Sequence, residues 1–212
     1  MLEPDNAKTL YTFNDVPVKA KPLFWLLVGL MWGSFVWVTG RRKPERPFSQ
    51  NLLVATLSLP LAFLADIGHA MAHTVSAKRA GAPMDEILLS ADMPRTLYAN
   101  NDVPPQTHIT RAIGGPIYSA IGLTISLLWR SFSPPASLSR ELADVSSFYH
   151  GAIFFGSLIP LPIVDGGAIL KWSLVEQGHT PKDADDIVKV TGAVVIGVLA
   201  VVGTAVFLLR RK

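Results

Sequence analysis

Ala65-Asp66-Ile67-Gly68-His69-Ala70-Met71-Ala72-His73 closes an apolar run that starts near Asn51, and Lys78 and Arg79 end it. One carboxylate and two imidazoles are therefore placed at or near membrane depth, where ionisable groups are costly enough to point to function. On a helix, His69 and His73 are about 6 Å apart along the axis and about 40° apart around it, close enough to grip one metal ion. Asp66 lies about 60° and Ala70 about 100° round from His69 in the same direction, so all four share one wedge. Asp165 supplies a carboxylate from a different helix, one broken by Pro160 and Pro162. Two His and one carboxylate make an open, catalytic-type zinc arrangement. Asp66 is then free to orient His69 through the nitrogen that does not bind metal. The plainer alternatives are a hydrogen-bonded His pair, an Asp66 carboxylate capped by a neighbouring helix, and Asp165 as a turn residue of Asp-Gly-Gly.

The composition around this stretch is that of a membrane protein. Of 212 residues, 50% are hydrophobic and 17% charged, and the mean hydropathy is +0.36. Five uncharged stretches, Pro22–Gly40, Pro47–Ala65, Ala112–Trp129, Val145–Val164 and Val190–Leu209, are each long enough to cross about 30 Å of hydrocarbon at 1.5 Å per residue. The expected fold is an all-α polytopic membrane protein with about five transmembrane helices, embedded in a cell membrane as a multi-pass chain. Disordered, collagenous and disulfide-rich classes are excluded, and little chain is left for a separate soluble enzyme domain. Without cysteine, metal chemistry has to use His and carboxylates. The net charge of +3 comes from Arg41, Arg42, Lys43 and Arg46 and from Arg210, Arg211 and Lys212. Such juxtamembrane clusters face the lipid bilayer and its anionic headgroups, not nucleic acid.

Three regions follow. Residues 1–50 hold a polar amino terminus and a first span with Trp25, Trp32 and Trp37 as interfacial anchors; the span lacks a small-residue cleavage pattern and reads as a retained helix. Residues 51–173 form the metal-binding core, and residues 174–212 a carboxy-terminal helix and the fifth span, opened by the N-cap pattern Thr180-Pro181-Lys182-Asp183. Inside the core, the long polar connection Lys78–Arg111 contains one apolar run, Ile87-Leu88-Leu89, that could be a strand. Gly115 and Ser119 give the third span a small face for close helix packing. His108 and His179 fall in polar loops and are expected to be solvated, and His150 lies too far from Asp165 along its helix to share the site.

Taken in order, His69-Ala-Met-Ala-His73, Gly114-Gly-Pro116 and Leu161-Pro-Ile-Val-Asp165-Gly-Gly167 resemble the HExxH helix, the Gly-Pro helix and the Pro-rich LDG turn of the site-2 protease family of intramembrane zinc metalloproteases. The resemblance covers roughly residues 51–173. It implies a three-helix core, Zn2+ held by His69, His73 and Asp165 near the cytoplasmic face, and an edge at Ile87–Ser90 for an extended substrate. The chain departs from the family where the general-base glutamate is Ala70, and where frequent asparagines are Ser119 and Ser157. A general base contributes roughly 10² to 10⁴ in rate, and Ala70 accepts no proton. The leading expectation is a zinc-binding membrane protein on this scaffold, holding a transmembrane protein or peptide segment, with peptidase activity weak or lost. The alternatives are an active intramembrane protease, with Asp66 as substitute base or Ala70 as an introduced substitution, and a structural membrane protein without metal. Basic residues are nearly balanced between the two sides, so orientation rests on the resemblance alone.

Overall fold

Apolar run length sets helix length in the computed structural model, which describes residues 6–210. Among these residues four helices are long and apolar enough to cross a membrane: α1 (Pro22–Arg42), α2 (Phe48–Arg79), α3 (Pro105–Phe132) and α6 (Pro181–Leu209). The chain is a multi-pass membrane protein. The expected fourth span, Val145–Val164, does not form one crossing helix. It is divided between the later turns of α4 (Leu138–Ser157) and a turn that leads into α5 (Asp165–Glu176). The first turns of α4 carry Arg140, Glu141 and Asp144, and its uncharged part from Val145 rises only about 20 Å, short of about 30 Å of hydrocarbon. Pro160 and Pro162 lie in the turn, where their missing N–H groups cost no helical bond.

Helices α2, α3 and α4 pack on one another, α5 packs on α3, α1 on α2 and α6 on α5. Small side chains allow the close approach. The buried face of α2 includes Ala55, Ser58, Ala62, Ala65, Ala70 and Ala77, as expected where helices associate by packing in lipid. Helix α1 buries only Phe24, and α6 buries Ala184, Val188 and Gly192 and then turns an apolar surface outward. Those surfaces are for lipid.

Helices dominate, yet a four-stranded sheet is present, ordered β1 (Lys8–Phe13), β2 (Val16–Ala20), β3 (Glu86–Leu89), β4 (Arg95–Leu97). Strands β1 and β2 form a hairpin across Asn14 and Asp15, both at positive φ (51° and 69°), the backbone that two-residue hairpins favour. Lys78 of α2 pairs with Asp15 at 2.7 Å and Asn14 donates to Thr74 at 3.3 Å, so the hairpin is stapled to the end of α2. Strand β3 falls where the Ile87–Leu89 run was expected. It pairs in parallel with β2 and antiparallel with β4, so it is interior and Ile87 and Leu89 are buried. The expectation that Ile87–Ser90 offers the open edge is therefore wrong. The open edge on that side of the sheet is β4.

Candidate metal centre

Helix α2 brings His69 and His73 to one face, as their spacing requires, with ring centroids 5.0 Å apart. The turn after α4 delivers Asp165 as the first residue of α5, where the positive end of the helix favours a carboxylate. Asp165 Oδ2 lies 3.0 Å from His69 Nε2 and Oδ1 lies 3.3 Å from His73 Nε2. Each of the three residues offers one ligand atom within 4.8 Å of the others, a group that could hold a metal.

The other ring nitrogens are already engaged. His73 Nδ1 donates to the Arg111 carbonyl at 2.8 Å, and His69 Nδ1 lies 2.9 Å from the Ser119 hydroxyl. A carbonyl only accepts, so in the neutral ring His73 carries its proton on Nδ1 and presents a lone pair at Nε2. That lone pair faces a carboxylate oxygen, and two acceptors at 3.3 Å need a proton or a cation between them. Gly115 leaves the same space free: a Cβ there would stand closer than 3.0 Å to both Nε2 atoms. The donor set and the cradle fit a divalent metal held through Nε2 of each imidazole.

Glycines also explain why Asp165 is held where it is. A Cβ at Gly166 would collide with the Leu158 carbonyl and one at Gly167 with the Leu161 carbonyl, so the first turn of α5 lies directly on the preceding turn. Asp-Gly-Gly is a packing requirement as well as turn chemistry.

Asp66 does not orient His69. Ser119 has taken that place, and Asp66 instead lines a cavity of about 780 Å³ together with His69, Ala70, His73 and Asp165. Ala70 is 3% exposed, packed beneath the sheet on that cavity's wall. Ser157 lines it too, but its hydroxyl donates to Phe154 O. The opposite wall is the β3–β4 turn and β4 itself, Asp92 through Leu97. Hydrogen bonds from the Ser90 hydroxyl and the Arg95 guanidinium bring the Asp92 carboxyl down to about 2, so it is an anion at neutral pH, and burial pushes the Tyr98 phenol up to about 12.

His150 is buried beside Tyr118, outside the metal group, as its position along the chain implies. His108 is not a solvated loop residue: it is stacked on Trp172, centroids 3.8 Å apart, inside α3. His179 is exposed. Arg111, whose carbonyl fixes His73, carried no sequence signal beyond ending a polar segment.

No protein-family model and no curated protein sequence matches the chain. Among solved structures it is similar to the site-2 protease from Methanocaldococcus jannaschii, with a TM-score of 0.58 over 97% of this chain and 87% of that chain, at 19% sequence identity. The class defined by fold and site is thus a polytopic membrane protein of site-2 protease fold with a His-His-Asp group able to take a metal.

Proposed function

We propose that this protein binds one Zn2+ through His69, His73 and Asp165 within a cell membrane and holds a segment of a transmembrane protein at the same cavity, with little or no peptidase activity. The observation that carries the reading is the convergence of two Nε2 atoms on both oxygens of Asp165, each imidazole fixed from behind by Ser119 or the Arg111 carbonyl. The likeness in fold to a site-2 protease supports it. Zinc, when bound, supplies Lewis acidity toward a carbonyl. The chain's own residues hold the imidazoles, balance the charge through Asp165, and offer the free edge of β4 to an extended segment. Position 70, where the family's base stands, has only a methyl group.

A second reading is favoured by one observation. Asp66 lines the cavity together with His69 and Ala70, and its carboxylate is the available substitute for the missing base. The two readings separate in a cleavage assay with a panel of membrane-segment substrates in liposomes, with and without a chelator. The binding reading expects no chelator-sensitive cleavage by the unmodified chain. Cleavage that a chelator stops and Asp66→Asn abolishes would replace it with the protease reading.

A further inference from the structure

Arg111 is 3% exposed, and so buried a guanidinium has to be held by acceptors. Its Nε donates to Ala82 O at 2.9 Å and its Nη1 to Asn100 O at 3.0 Å. Ala82 lies just before β3 and Asn100 just after β4. One side chain thus clamps both feet of the β3–β4 hairpin, whose outer strand is a wall of the site cavity. The guanidinium also lies over the Tyr98 ring, 4.4 Å from its centroid, and Tyr98 directly follows β4. The main chain of the same residue fixes the metal group. Its carbonyl accepts from His73 Nδ1 at 2.8 Å and from the Ser76 hydroxyl at 3.0 Å.

We propose that Arg111 is a positioning residue that links the β4 edge to His73, so that a segment docking along β4 and a metal held by His73 strengthen each other through this one residue. Any coupling between two binding sites is reciprocal, and here the element that carries it is a guanidinium at one end and a carbonyl at the other. The inference deepens the function proposed above, and rests on that reading only where metal is added.

The test uses the full chain in detergent micelles, labelled uniformly with nitrogen-15, as wild type, Arg111→Met, Arg111→Lys and Tyr98→Leu. In metal-free protein, Arg111→Met should speed solvent exchange of the His73 Nδ1 proton by about tenfold or more, in step with the amides of residues 86–97, while the amides of α4 keep their rates. Arg111→Lys keeps the charge and reaches one carbonyl, so it should recover part of the protection. Zn2+ titration should show affinity reduced by about 10- to 100-fold in Arg111→Met, the usual effect of losing support behind a ligand. If Arg111→Met does not fold, Tyr98→Leu, which removes the ring beneath the guanidinium, should move both readouts in the same direction. Hairpin amides that speed while the His73 proton and Zn2+ affinity stay within about twofold of wild type would overturn the link. A wild type that binds no Zn2+ would defeat the metal reading, and the metal-free comparison would still decide the link.

Discussion

His73 presents a lone pair to a carboxylate because the Arg111 carbonyl occupies its other nitrogen, and that arrangement sets what substitutions at the site should do. Ser119→Ala removes the partner of His69 Nδ1 and should weaken Zn2+ binding by about 10- to 100-fold while the helices stay folded, measured by competition with a chromogenic chelator and by circular dichroism. Gly115→Ala places a methyl group against both Nε2 atoms; it should abolish metal binding, whereas alanine at the exposed Gly29, which has nothing within 4 Å, should leave it unchanged. The imidazole pair and Asp165 were legible in the sequence because an HxxxH spacing fixes a helical face and a carboxylate beside prolines marks a broken helix. The expectation that Asp66 orients His69 fails, since helical geometry gives only the direction of a side chain on its own helix. It cannot show that Ser119 of α3 reaches the same nitrogen first.

The helices could be read from runs of apolar residues, while the sheet mostly could not. Strand β2 is five residues with a proline inside it, β4 is three residues, and pairing between a segment near the amino terminus and one after α2 leaves no local pattern. Strand β3 was visible as Ile87-Leu88-Leu89, but an apolar run does not say whether a strand is interior or at an edge. The turn before β4 has a pH dependence of its own. The Asp92 carboxyl titrates near 2 instead of its ordinary 3.8, a depressed value, so its contribution is fully present above about pH 4 and is lost as pH falls through about 2. Amide exchange across residues 90–97 should accordingly accelerate between about pH 4 and pH 2, and Asp92→Asn should remove that acid step. An unchanged acid profile in Asp92→Asn would show that the ion pair with Arg95 does not hold the turn.

At the scale of the whole molecule, the site sits where a membrane bundle meets a small sheet: α2, at 32 residues, is about 48 Å long and outruns the hydrocarbon, and the strands pack on its emerging end. Ala70 is at that junction. If the scaffold keeps every other part of a peptidase, Ala70→Glu should raise cleavage of a membrane segment by about 10² or more; if the cavity has been turned to binding, the variant should keep its metal and stay inactive. Either outcome presupposes the metal centre, so the most direct measurement is the metal content of detergent-purified protein, wild type beside His69→Ala, His73→Ala and Asp165→Asn, by elemental analysis. The wild type should hold about one zinc per chain, and each variant should lose most of it. Metal content that is unchanged in His73→Ala and Asp165→Asn would contradict it.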